Sequence, residues 1–218
     1  MKIEDLTNGR LKTHLHSYGV DPNAELCDKI RIYISTLLQW NKKISLTAIT
    51  DPEEILLVHF GESFYAVGAA DIAAGRLADI GTGAGFPGIP IRMVNEEVKV
   101  TLIEPSAKKV AFLGEVIRRT ELNGVQIIRC RMEDLSPETA PFDFLTARAL
   151  GRYASFLEWS KSRVSNRGSV VLMIGENEAE RLRNDPSWCW QNARRIPGTT
   201  GRFVLQGFLK PYGRQCST

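Results

Sequence analysis

The stretch Asp79-Ile-Gly-Thr-Gly-Ala-Gly-Phe-Pro-Gly88 constrains the fold of this chain more than any other. A short apolar run, residues 76–80, precedes it, and residues 89–94 after it can continue as a helix. Strand, glycine turn and helix in that order open a nucleotide-binding α/β unit. Gly81, Gly83 and Gly85 stand at alternate positions, so the backbone can turn sharply and approach a ligand with no Cβ in between. Free N–H groups near the start of the following helix favour a polar or anionic ligand group.

A dinucleotide fingerprint, Gly-x-Gly-x-x-Gly, would put its third glycine at position 86. That position is Phe86, and the third glycine is Gly85. The spacing Asp-x-Gly-x-Gly-x-Gly is instead the form seen in S-adenosylmethionine-dependent methyltransferases, and it disfavours a nicotinamide dehydrogenase. About twenty residues on, Val98-Lys-Val-Thr-Leu-Ile-Glu104 reads as a second strand ending in an acid. A carboxylate there can accept hydrogen bonds from both ribose hydroxyls of an adenosine. Turn and acid together point to such a ligand far more specifically than the glycines alone.

Length and composition narrow the class. A chain of 218 residues suffices for one sizeable domain with an elaboration. No apolar run approaches the roughly 20 residues of a transmembrane helix, and the charged Met1-Lys-Ile-Glu-Asp start lacks a signal core, so a cytoplasmic protein is expected. Cys27, Cys130, Cys189 and Cys216 lack paired spacing, which predicts reduced thiols and no metal site. The net charge of +3 is unevenly spread: residues 1–75 hold seven Lys/Arg against ten acids, whereas residues 181–218 hold seven against one. With Trp188 and Trp190 inside it, that basic stretch suits a nucleic-acid backbone and its bases, or equally an arginine-rich solvated surface. Nothing demands more than a monomer.

Residues 1–75 read as a helical N-terminal subdomain. Asp21-Pro22 is a helix start, followed by an apolar stripe of Ile30, Ile34, Leu37 and Leu38. Residues 40–47 read as a connection, and Asp51-Pro-Glu-Glu54 starts a second helix carrying Ile55, Val58 and His59 on one face. From residue 76 to 218, strands and helices alternate, which implies a mostly parallel sheet. Ser106 caps a helix to about Leu122; strands are expected at 125–130, 142–146, 169–174 and 203–209, with a helix over 153–164.

With these residues placed, the chain resembles the ribosomal small-subunit methyltransferase G family, also called glucose-inhibited division protein B. The carrying stretches are Trp40-Asn41 with Leu46-Thr47, Asp79 to Pro90, Lys108-Lys109-Val-Ala-Phe-Leu113, Arg131-Met-Glu133 and Thr146-Ala-Arg-Ala149. The resemblance spans roughly residues 25 to 175, and the turn ending Phe86-Pro87-Gly88-Ile89-Pro90 is its most specific part. It implies a Rossmann-like class I methyltransferase fold with a seven-stranded, mostly parallel sheet and helices on both faces. It implies S-adenosylmethionine as cofactor, 16S ribosomal RNA or the small ribosomal subunit as partner, and methylation of one guanine at N7, with no metal. Carried over by position, Asp79, Gly81, Gly83 and Phe86 belong to the cofactor turn, Glu104 holds the ribose, and Met132 and Glu133 flank the adenine. Arg148 matches an arginine facing the transfer pocket. Three positions depart from the family pattern: Ile174-Gly175 lacks a lysine, His59-Phe-Gly-Glu-Ser-Phe64 has Glu62 for Asp, and Ser45 stands for Asn. His59 reads as a structural histidine between the helical part and the sheet.

Guanine N7 carries a lone pair at neutral pH, so the chemistry needs alignment and no general base. The chain accordingly lacks a recognisable nucleophilic triad or metal-ligand array. Positive charge develops on the guanine, so Arg148 suits phosphate or the cofactor carboxylate better than the N7 edge. Because N7 edges lie in the deep groove of A-form RNA, the target must sit in open structure. Two alternatives remain: an RNA-binding member of the fold with weakened catalysis, or a methyltransferase acting on a non-RNA substrate.

Overall fold

The structure, a computed structural model, describes residues 2–210. Arg214 and Cys216 of the basic C-terminal stretch lie outside the described residues.

The helical N-terminal part begins with α1 (Asn8–His16) and α2 (Ala24–Asn41). The α2 cap is Asn23, whose side chain accepts from Leu26 N at 2.8 Å, two residues later than the expected Asp21-Pro22 start. Asn41 at the end of α2 folds the connection over itself: its Oδ1 accepts from Leu46 N (2.8 Å) and Thr47 N (3.1 Å). Asp51 caps α3 (Pro52–Ile55) as expected, accepting from Glu53 N and Glu54 N. The helix then widens into a π-helical segment, Leu56–Gly61, before α4 (Glu62–Ala69). Such wide turns are rare and often lie at functional sites; this one carries His59 and delivers Glu62.

The alternating part follows: β1 (Gly75–Ile80), α5 (Gly88–Val94), β2 (Val98–Ile103), α6 (Ala107–Arg119), β3 (Val125–Ile128), β4 (Phe142–Arg148), α7 (Tyr153–Ser160), β5 (Val164–Gly175), α8 (Glu176–Arg183), β6 (Trp188–Trp190), β7 (Arg194–Arg195) and β8 (Arg202–Leu209). The sheet order is β3-β2-β1-β4-β5-β8-β6. Strands β3 to β5 along that order are parallel, whereas β8 is antiparallel to β5, β6 and β7. Six strands lie where the sequence places them; β6 and the two-residue β7, too short to show a period in the sequence, bring the sheet to eight strands instead of the expected seven. The helix expected to reach Val164 stops at Ser160, because β5 starts there with Val164 opposite Phe142.

One buried cluster joins Leu11, Ile34, Leu37 and Phe60 of the N-terminal helices to Leu77, Ile91, Leu102 and Phe112. A second lies under α7 and α8, with Ile80, Leu145, Phe156, Leu157, Leu172 and Leu182. Helices therefore cover both faces of the sheet, as a buried parallel sheet requires. Trp188 and Trp190 belong to this interior. Trp188 is 3% exposed and pairs with Leu209 on β8, so it is not available to stack on a nucleic-acid base, against the expectation from the basic stretch. Cys27 and Cys130 are free thiols, but Cys189 is disulfide-bonded, against the expectation of reduced thiols. Among the described residues no helix is long and apolar enough to cross a membrane.

Candidate active site

Strand order reverses at β1, which has β2 on one side and β4 on the other. The carboxyl ends of strands at such a switch form the ligand crevice of open α/β sheets. Register then decides what meets there. Ile80 pairs with Ile103 and with Ala147, so the residues that follow, Gly81, Glu104 and Arg148, emerge side by side from β1, β2 and β4.

The turn after β1 is held by Asp79. This carboxylate is fully buried, and its Oδ2 accepts from Thr82 Oγ1 (2.6 Å) and Gly88 N (2.9 Å) while Oδ1 accepts from Thr146 Oγ1 (3.3 Å). With its oxygens spent on the turn, Asp79 shapes the loop and does not face the cavity. Burial raises its pKa to about 6 despite those hydrogen bonds. Gly81 adopts φ +65°, a conformation a side chain resists, and is exposed at the cavity rim. Gly85, at φ +90°, is buried, and a Cβ there would lie 2.4 Å from the Tyr33 hydroxyl.

Glu104 sits directly opposite the turn, 4% exposed. Its Oε2 accepts from Gly83 N at 3.0 Å and its Oε1 from Ser106 N at 2.9 Å. Each oxygen keeps a further lone pair, so the carboxylate is fixed in direction and can still accept from a vicinal diol. Beside it lies a cavity of about 160 Å³ lined by Gly81, Ile103, Pro105, Met132, Glu133 and Leu150, among others. Met132 is buried and offers an apolar wall; Glu133 is exposed and lies 3.7 Å from Arg152. Of the residues singled out in the sequence, Gly81, Met132 and Glu133 line this cavity, and Gly83 and Glu104 form its hydrogen-bonded edge.

Phe86 is 7% exposed and supports the turn from behind. Its ring is sandwiched between Tyr33 (centroids 5.0 Å, planes 7° apart) and His59 (4.7 Å, 25°). Tyr33, on α2, also donates its hydroxyl proton to the carbonyl of Ala84 within the turn. Sequence reading missed Tyr33, because its periodicity marks only a buried helix face. His59 fulfils the expected structural role: Nε2 lies 2.8 Å from Thr47 Oγ1, and the ring packs on the turn. Burial, with repulsion from Arg148 and Arg202, holds its pKa down to about 3.

Arg148 does not line the small cavity. Its Nη1 donates to the Val58 carbonyl at 3.2 Å, and its Nη2 lies 3.5 Å from Glu62 Oε2. Glu62, 2% exposed, also meets Arg202 Nη1 at 2.8 Å from Oε1. Burial raises its pKa while the two arginines oppose the rise. Neither Glu62 nor Arg202 stood out as a site residue in the sequence. The only signal was Glu62 at a position where the resembling family carries aspartate.

The histidine gives a pH prediction. Its folded pKa lies below the ordinary 6.5, so the unfolded chain takes up the proton first. The stability it contributes is complete above about pH 6.5 and is lost as the pH falls toward 3. Asp79 acts oppositely, since its folded pKa is raised and the fold gains as pH falls below about 6. Comparison with His59→Gln separates the two. In urea titrations the wild type should lose about 3 kcal/mol relative to the variant between pH 7 and pH 4. Parallel profiles for both proteins would contradict the buried, neutral imidazole.

Comparison with known proteins gives the same direction. The family model described as rRNA small subunit methyltransferase G (GidB) matches residues 26–196. A protein of Desulfitobacterium hafniense called ribosomal RNA small subunit methyltransferase G is 37% identical over 167 residues, 75% of this chain and 69% of that protein. One of the same name from Clostridium perfringens (strain SM101) is 33% identical over 194 residues, 87% of this chain and 81% of the other. Among solved structures, a SAM-dependent methyltransferase from Aquifex aeolicus matches with a TM-score of 0.59 at 18% identity, covering 73% of this chain and 94% of that one. A ribosomal protein L11 methylase from Lactobacillus delbrueckii matches at 0.60 with 14% identity, covering 75% and 81%. At such low identity these two likenesses show the fold alone.

Proposed function

We propose, because the chain belongs to the rRNA small subunit methyltransferase G family, that it moves the methyl group of S-adenosylmethionine to N7 of one guanine in 16S ribosomal RNA. The observation that carries this reading is the junction of the glycine turn with Glu104. A carboxylate aimed by Gly83 N and Ser106 N, beside a small cavity walled by Met132, has the donors, acceptors and apolar surface that an adenosine needs.

In this reading Glu104 holds the ribose hydroxyls, Met132 packs on the adenine, and Glu133 meets its polar edge. Gly81 leaves the turn open where the cofactor crosses it. Bound S-adenosylmethionine supplies an electrophilic methyl on a sulfonium centre. Asp79, Tyr33 and Phe86 fix the turn so that this centre is held in one place, and catalysis is then mainly orientation. No residue has to take a proton, because the N7 lone pair is free at neutral pH. Arg148 is tethered to Glu62 and the Val58 carbonyl, which keeps a fixed positive charge from drifting toward the nitrogen that becomes positive.

The test is transfer of radiolabelled methyl to unmodified 30S particles, naked 16S RNA and a panel of proteins. Label confined to RNA is the expected result. Label in protein would overturn the substrate assignment, and cofactor binding without label in any RNA would favour a non-catalytic RNA-binding member of the fold.

A further inference from the structure

A second cavity, of about 280 Å³, lies past the ends of β4 and β5 and is lined by Glu62, Arg148, Ile174, Gly175, Ile196 and Arg202, among others. It shares the exit of β4 with the cofactor cavity: Arg148 and Ala149 line one, Leu150 and Arg152 the other. Its volume admits a purine. Ile174 and Ile196, 5% and 1% exposed, offer apolar surface against a base. Glu62 is the one acid among its lining residues, and it is poorly satisfied. Oε1 is buried without an aligned hydrogen bond despite Arg202 at 2.8 Å, and Oε2 is 3.5 Å from Arg148. With no aligned hydrogen bond at Oε1 and only the long Arg148 contact at Oε2, the carboxylate can accept from a ligand that presents two donors in parallel.

We propose that this cavity receives the target base and that Glu62 selects guanine by accepting from N1–H and the N2 amino group. The proposal rests on the guanine-N7 reading above and goes beyond it by assigning what recognises the base. Enzymes that act on an extruded base read its Watson–Crick edge. On that edge guanine alone offers two adjacent donors; adenine offers an acceptor at N1, which a carboxylate repels, and each pyrimidine offers an acceptor beside its donor. A carboxylate on N1 and N2 also leaves N7, on the far side of the purine, free for attack. Arg148 and Arg202 offset the buried negative charge, and Arg202, its side chain 44% exposed, is placed to meet a phosphate of the same nucleotide.

The test uses the full chain with unmodified 30S particles reconstituted from 16S RNA, carrying either the target guanosine or adenosine in its place. For the wild type, the adenosine particle should compete for methyl transfer about 10- to 100-fold less well than the guanosine particle. Glu62→Gln, which offers one acceptor and one donor, should bring the two particles to within about threefold of each other. It should also lower kcat/KM on guanosine particles by about 30-fold or more while calorimetric affinity for S-adenosylmethionine stays within about threefold. Glu62→Asp, which keeps both acceptors, should retain the guanosine preference, and it carries the test if the glutamine variant does not fold. Retained preference in Glu62→Gln, lost preference in Glu62→Asp, or cofactor affinity falling in step with activity would overturn the proposal and leave Glu62 a structural ion-pair partner. No labelling of either particle by the wild type would instead sink the functional reading beneath it.

Discussion

Gly81→Val is expected to abolish cofactor binding while the chain still folds. Gly81 sits at φ +65° on the rim of a cavity of only about 160 Å³, and any Cβ there already lies 3.2 Å from Leu150 Cδ1. A branched side chain at this point fills the space between turn and β4 exit. The left-handed backbone costs a β-branched residue about 1–3 kcal/mol, a tolerable loss for a domain of this size. Calorimetry should therefore show affinity for S-adenosylmethionine weakened by more than about 100-fold, with a cooperative melt only a few degrees lower. Unchanged affinity would mean that the turn does not bind the cofactor.

The second large effect is expected at Tyr33, fully buried on α2 and remote in sequence from the turn it supports. Tyr33→Ala removes a ring stacked on Phe86 and leaves a void, at a cost of about 3–5 kcal/mol. Tyr33→Phe keeps the stack but leaves the Ala84 carbonyl, on a residue 6% exposed, without its donor. That variant should lose about 1–3 kcal/mol in urea unfolding. Because the same contact fixes the loop, it should also bind S-adenosylmethionine about tenfold more weakly, as expected when an ordered site becomes only fractionally populated. Full affinity in Tyr33→Phe would show that the turn is rigid without the hydroxyl contact to Ala84.

These two residues mark what the sequence could and could not disclose. Gly81, Glu104 and Met132 were legible because each lies at or just past the end of a strand, and parallel register brings such ends together automatically. The aspartate of the motif was legible as important but not as structural. Its hydrogen bonds to Thr82 and Gly88 are short-range, yet its third partner, Thr146, comes from β4. Tyr33, Glu62 and Arg202 were not legible, because they act across 51 or more residues of chain through packing that no periodicity encodes. Arg148 stands out in the sequence as a cofactor-site residue, but the structure turns it away from the small cavity onto Glu62, since burial of that acid depends on how α4 meets the sheet. Trp188 misled for the converse reason: a three-residue strand inside a basic stretch shows its charge in the sequence and its burial only in the fold.

Mapping the atom that receives the methyl group is the most direct test of guanine-N7 methylation by this protein. Unmodified 30S particles are incubated with the protein and S-adenosylmethionine, and the extracted 16S RNA is treated with borohydride and aniline, which cleave the chain at N7-methylguanosine. One new cleavage, dependent on both protein and cofactor, is the predicted result. Methyl incorporation into the RNA with no cleavage would place the modification on another atom and contradict the central claim.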